Sequence, residues 1–163
     1  MDQKFLEREE VEAVLDRLYK NPRHLLHAKI SEFLYLTGMC YGELQALQVK
    51  DYNQGTISVS GTLDYTSTKM TEAIKTTPKN MMSLRTIDLP EKTKQILDDI
   101  IMENQLSIPD YTPDSYIFLS SSLTPLTIHS YNSILYQVEK ESGTDHRDGF
   151  AHTPKRVTVE DYL

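Results

Sequence analysis

At 163 residues with a formal net charge of −7, the chain suits a single domain long enough to bury most of its potential core. Hydrophobic content of 39% and charged content of 25% are those of an ordinary soluble protein; no apolar run approaches membrane-spanning length, and the acidic opening Asp2, Glu7, Glu9 and Glu10 is no signal peptide. A single cysteine excludes an internal disulfide and fits a reducing compartment, so the expected location is cytoplasmic.

Val11, Val14, Leu15 and Leu18 recur at helical spacing with acids early and Pro22 just beyond, which predicts a first helix over about residues 7–19. Leu26, Ile30, Phe33 and Leu34 mark a second over about 22–36, and Gly38 is well placed as its C-cap, where φ can turn positive without a Cβ clash. A short third helix over about 41–47 would project Glu43 and Leu44 inward, with Cys40 at the turn where it begins. Thr56 to Ser60 alternates as a half-buried strand. Residues 61–74 have weak periodicity and predict a strand plus an irregular connection. Leu84 to Leu89 alternates again, so Thr77-Pro78-Lys79-Asn80 is the expected turn between antiparallel strands. Pro90-Glu91 opens a helix to about residue 103, burying Ile96, Leu97, Ile100 and Ile101. A last helix over about 127–142 uses Ile128, Tyr131, Leu135 and Val138 and stops at Gly143. Helices, a small antiparallel sheet, then helices again define an α+β domain.

Charge is unevenly placed along this frame. Residues 69–94 carry Lys69, Lys75, Lys79, Arg85, Lys92 and Lys94 against three acids, while residues 98–114 carry five acids and no base. A net charge of −7 opposes strong DNA binding by simple count, but this polarity allows a local basic face on an acidic body. His24, His27 and His129 lack metal-ligand spacing and read as ordinary surface histidines, so no metal site is expected.

Thr37-Gly38-Met39-Cys40-Tyr41-Gly42-Glu43-Leu44-Gln45-Ala46-Leu47 is similar to the first active-site signature of the tyrosine recombinases, the phage and transposon integrases, T-G-x-R-x-G-E-L-x-x-L. Lys75 to Pro90, with Thr76, Ser83, Arg85, Ile87 and Leu89, resembles that family's K-T-x-x-S-x-R-x-I-x-L hairpin. Asp2 to Leu18 resembles the entry to its catalytic domain, and Tyr116-Ile117-Phe118 its next short strand. The resemblance covers residues 1 to about 143, and implies an integrase-type catalytic domain, mainly helical with a small antiparallel sheet.

What the resemblance implies about chemistry is specific. Family members cut DNA without metal or small-molecule cofactor: a tyrosine attacks the phosphodiester, arginines hold the non-bridging oxygens, and a hairpin lysine protonates the departing 5′-oxygen. Lys75 falls on that lysine and is the expected catalytic residue, with Lys79 its rival in the same hairpin. Lys69, Lys79 and Arg85 are the expected contacts to double-stranded DNA, although Arg85 reads more as a surface or sheet-supporting arginine than a catalytic one. Glu43 matches a family carboxylate that is usually buried and structural. At the signature's arginine position stands Cys40, and a thiol offers neither fixed charge nor a planar fork of donors.

The second family signature, H-x-x-R-H-T, finds its nearest match at Asp148-Gly149-Phe150-Ala151-His152-Thr153, where Asp148 stands for the histidine and Ala151 for the arginine. Tyr162 comes too soon after it to match the nucleophile. Residues 144–163 are therefore expected to be an atypical tail on a domain whose carboxy-terminal part is missing. A frameshift is one account: suitable codons for Ala151 to Val157, read one base later, encode H-T-H-L-S-V, a good continuation of an integrase. Sequencing the gene and finding no such frame downstream removes it. The expected function is a site-specific recombinase that is inactive in this form; the alternatives are a remnant that binds DNA or an intact integrase, and a product without a selected role. A shortened domain also leaves apolar surface uncovered, so self-association is expected.

Overall fold

The computed structural model describes residues 7–64, 74–76 and 84–141. These divide into two units, one built from residues up to Tyr41 and from Thr127 onward, the other from Gly42 to Leu126.

In the first unit, α1 runs Arg8–Lys20. The backbone N–H of Glu7 donates to Glu10 Oε1 at 3.1 Å, acids occupy the first turn, and Arg17 and Lys20 the last, each complementing the helix dipole. Its inner stripe is Val11, Val14 and Leu18. The chain then breaks where Asn21 Oδ1 accepts from the Arg23 N–H at 3.0 Å. A 3-10 turn at Pro22–His24 leads into α2, Leu25–Thr37, so the expected second helix is divided at its start. Gly38 closes α2 at φ 74°, its N–H donating to the Leu34 carbonyl at 3.0 Å. A left-handed cap of this kind costs any residue with a Cβ about 1 kcal/mol. Helix α5, Ile128–Glu141, buries Tyr131, Leu135 and Val138 and packs on α1 and α2.

His27 is not the surface residue its sequence context suggests. Its ring lies parallel to that of Tyr131, centroids 6.2 Å apart, and Tyr131 stacks in turn on Tyr41 at 4.9 Å. Burial, with His24 adding its charge, lowers the His27 pKa to about 4. Tyr131 itself is fully buried and bonded to Ser31 Oγ at 2.6 Å.

Helix α3, Tyr41–Gln45, starts at the last residue of the first unit. The second unit continues through a 3-10 turn at Val49–Asp51 into β1, Tyr52–Asn53, and β2, Thr56–Val59. Gln54 and Gly55 join them with φ of 47° and 85°, the twin positive values that a two-residue hairpin of the primed type demands. Strands β3, Thr62–Asp64, and β4, Ile74–Thr76, pair with each other. Strand β5, Arg85–Asp88, pairs antiparallel with β2, with Ile57 opposite Ile87 and Val59 opposite Arg85. The sheet order is thus β1-β2-β5, with β3-β4 a separate pair.

That pairing corrects the sequence expectation. The strand bearing Lys75 does not neighbour the one bearing Arg85; β2 takes that place, since its buried Ile57 and Val59 offer the apolar face that Ile87 and Leu89 continue. The expected turn at 77–80 lies outside the described residues. Tyr116-Ile117-Phe118 is no strand either: one isolated bridge joins Tyr116 to Gln48. Helix α4, Glu91–Ser107, buries Thr93, Ile96, Leu97 and Ile100, four residues longer than the predicted 103 end. Among the described residues no helix is long and apolar enough to cross a membrane.

Candidate functional site

The signature segment keeps its backbone design. Thr37 Oγ1 donates to the Phe33 carbonyl at 2.8 Å and accepts from the Met39 N–H at 3.4 Å, which fixes the turn around left-handed Gly38. Met39 is wholly buried, Cys40 partly exposed, and Tyr41 buried against Tyr131. Within the second unit the rest of the segment turns inward: Leu44, Ala46 and Leu47 are core, and Gln45 Nε2 donates to the Leu126 carbonyl at 2.8 Å.

Glu43 is buried and meets Arg85 of β5 in a fork. Arg85 Nη1 donates to Glu43 Oε2 at 2.8 Å and Nη2 to Oε1 at 3.0 Å. Two parallel charge-assisted bonds make this a geometrically demanding pair. Glu43 is thus held as a buried, paired carboxylate, and a third of the Arg85 side chain is still open to solvent.

Lys75 sits at the middle of β4, opposite Leu63. Its Nζ donates to Asp51 Oδ2 at 3.0 Å and to Gln48 Oε1 at 3.2 Å. The side chains are only 19% exposed for Lys75 and 10% for Asp51. Asp51 Oδ2 also accepts the Gln48 N–H at 2.9 Å, and Gln48 Nε2 donates to the Asp114 carbonyl at 2.8 Å. Cys40 and Lys75 belong to different units. Lys69 and Lys79 lie outside the described residues, as do Asp148, Ala151 and Tyr162. Sequence reasoning missed Asp51 and Gln48 altogether. No local pattern marks them, because their partner is 24 and 27 residues away.

Gly61 secures the root of Lys75. A Cβ at Gly61 would collide with the Thr76 carbonyl oxygen and come within 3.3 Å of Lys75 Cγ. Gly61→Ala should therefore force β3 and β4 apart and destabilise the unit by about 1–3 kcal/mol. Faster amide exchange across residues 62–64 and 74–76 is the expected signature. Unchanged protection there would show that the strands accommodate the methyl group.

Among the described residues no cluster of three or more His, Cys, Asp or Glu side chains could hold a metal ion. The usable chemistry is cationic: Lys75, held against an acid, and Arg85, held by another.

The model of the phage integrase family matches residues 4–155. The chain is similar to a prophage ps2 probable integrase of Lactococcus lactis, 40% identical over 134 residues, covering 79% of this chain and 35% of that protein. It is also similar to the integrase of Staphylococcus phage L54a, 31% identical over 132 residues, covering 75% of this chain and 37% of that one. The chain thus spans about a third of the length of these relatives. Among solved structures, the Tn1549 transposon integrase in complex with transposon right end DNA superposes with a TM-score of 0.77 at 21% identity, covering 99% of this chain and 52% of that one. XerA recombinase superposes at 0.63 and 17% identity, covering 94% and 46%. The fold is that of a tyrosine-recombinase catalytic domain, helical with small antiparallel sheets. With the family model matching nearly its whole length, the chain belongs to the phage integrase family.

Proposed function

We propose that this chain is an integrase-type module that binds duplex DNA and, in this form, does not cleave it. The support is the signature turn. Its backbone is complete, from the left-handed Gly38 into α3, yet at the position where the family holds a phosphate stands Cys40. A neutral thiol cannot stabilise the charge that develops on a phosphoryl group in transfer, and loss of one such donor costs roughly 10²-fold or more. Asp148 and Ala151 extend the same deficit in the sequence. DNA as partner is inferred from family membership and from the structurally similar Tn1549 integrase, solved with transposon DNA. Lys69, Lys75, Lys79 and Arg85 are the proposed DNA-facing cations, and association with a second copy belongs to the same proposal.

A gel shift on duplex DNA across a salt series tests the binding half. Weak binding with a shallow salt dependence is expected, since few cations face a net charge of −7. Cys40→Arg adds one phosphate contact and should steepen the slope of log K against log salt by about 0.9. A nicked suicide substrate tests the other half: neither the natural chain nor Cys40→Arg should yield a covalent adduct. An adduct with the natural chain would return Tyr162 to consideration as nucleophile and end the inactive reading. Absence of any duplex binding at low salt would end the DNA reading. Sedimentation velocity of the same samples reads self-association, which a strictly monomeric species at high concentration rules out.

A further inference from the structure

We propose that Asp51, with Gln48, is the resting seat of Lys75: a positioning pair that neutralises the ammonium until a DNA phosphodiester competes for it. The competition half rests on the DNA-binding reading above; the seat itself rests on geometry alone. Lysine ordinarily lays its methylene stem on the surface and keeps its charged head in water. Lys75 does the opposite, with two of its three donors spent on Asp51 Oδ2 and Gln48 Oε1 and little of the side chain exposed.

The two sides of this contact are unequally fixed. Asp51 is anchored independently of the lysine, because the same Oδ2 accepts the Gln48 N–H at 2.9 Å and closes the Val49–Asp51 turn. Gln48 is anchored too, through Nε2 on the Asp114 carbonyl and its bridge to Tyr116. Lys75 is held at its root, where β4 runs against β3 and Gly61 leaves room for Thr76 and Lys75 Cγ. Beyond that root lie only methylene groups joined by rotatable bonds. The ammonium is thus the movable member, and the acid the fixed one.

A phosphodiester offers a full negative charge on two non-bridging oxygens, which an ammonium serves as a point charge. To reach it, Lys75 must leave Asp51, and the departure strands a carboxylate that is only 10% exposed. Asp51 therefore weakens whatever contact Lys75 makes, and sets how strong a phosphate contact must be before the lysine moves. No proton or covalent bond is exchanged in the switch.

Asp51→Asn tests the inference with little risk to the fold, since the amide oxygen can still accept the Gln48 N–H. Two measurements are made on the whole chain, each also in a Lys75→Met background where applicable. Reductive methylation of the Lys75 amine, followed by mass spectrometry without DNA, should run at least about threefold faster in Asp51→Asn, threefold being what even an exposed ion pair is worth. Gln48→Leu, which removes the second acceptor and leaves Asp51, should show a smaller increase. Unchanged reactivity in both variants overturns the seat.

In the duplex salt series, Asp51→Asn should steepen the slope by about 0.9, one phosphate contact, and the gain should vanish when Lys75 is Met. The same gain in the Lys75→Met background overturns the competition, because removal of an acid alone would then explain it. Faster Lys75 methylation with no duplex binding by any variant supports the seat and defeats the DNA-binding reading. The two failures are in this way told apart.

Discussion

Glu139→Gln should stabilise the fold at pH 8 and leave it nearly unchanged at pH 4. Glu139 is 2% exposed on the inner side of α5. Burial, with the Glu10 carboxylate of α1 adding to it, pushes its pKa from 4.5 up to about 8. Between those values the folded protein keeps a proton that the unfolded chain has released. The native state binds one proton more, so stability falls with rising pH by roughly 1.4 kcal/mol per unit across that window. Glutamine mimics the protonated acid and removes this slope.

His27 has the opposite sign. Its pKa is lowered from 6.5 to about 4, so between those values the unfolded chain binds the extra proton and stability rises with pH. The two slopes cancel where the windows overlap, from about pH 4.5 to 6.5. The natural protein should show a stability plateau there, a His27-dependent loss on the acid side and a Glu139-dependent loss from pH 6.5 to 8. Urea unfolding at a series of pH values checks this, and a curve flat from pH 6.5 to 8 sinks the assignment to Glu139.

Arg85→Met is expected to destabilise the fold by about 2–3 kcal/mol. Removal of one partner from a buried pair leaves an uncompensated charge at a cost of roughly 3–5 kcal/mol, reduced here because Arg85 is 35% exposed while Glu43 is 9% exposed. Adding Glu43→Gln to Arg85→Met should restore more than half of the loss, since no buried carboxylate is then stranded. Arg85→Lys should rescue poorly, because an ammonium cannot reproduce the fork. Chemical denaturation of the natural protein, Arg85→Met, Glu43→Gln and the double variant reads the coupling. Additive losses would mean that the pair contributes nothing as a pair. A salt slope on DNA lowered in the folded Arg85→Met protein would make Arg85 a DNA contact as well as a support.

The helices were legible because their apolar residues recur at a spacing that local packing cannot disguise: Val11, Val14 and Leu18 in α1, Ile96, Leu97 and Ile100 in α4. Gly38 was legible for the same reason, a residue whose lack of a Cβ has one obvious use at a helix end. Strand pairing was not. The alternation of residues 84–89 identifies a strand but carries no address for its partner, and β2 rather than the strand of Lys75 lies beside it. His27 was misread because the ring that covers it belongs to Tyr131, on another helix far along the chain. For the site, the signature motifs brought Lys75, Glu43 and Arg85 to attention, and the bond between the last two spans 42 residues. Asp51 and Gln48 went unnoticed because a seat for a lysine is a property of assembled surfaces, not of neighbours in sequence.

The division into units has a consequence for how the chain comes off the ribosome. Gly42 to Leu126 is one uninterrupted stretch, whereas the helical unit is assembled from both ends. Helices α1 and α2 are made before α5, and the α2 face that carries His27 and Ser31 meets Tyr131 only when α5 arrives. The Ser31–Tyr131 bond spans 100 residues, so the whole of the intervening segment must be synthesised before it can form. The strand-bearing unit can close on contacts within its own stretch during that interval, while the older helices wait for α5. Ribosome-bound intermediates that end before α5 are accordingly where this chain is most exposed to aggregation and to chaperone capture.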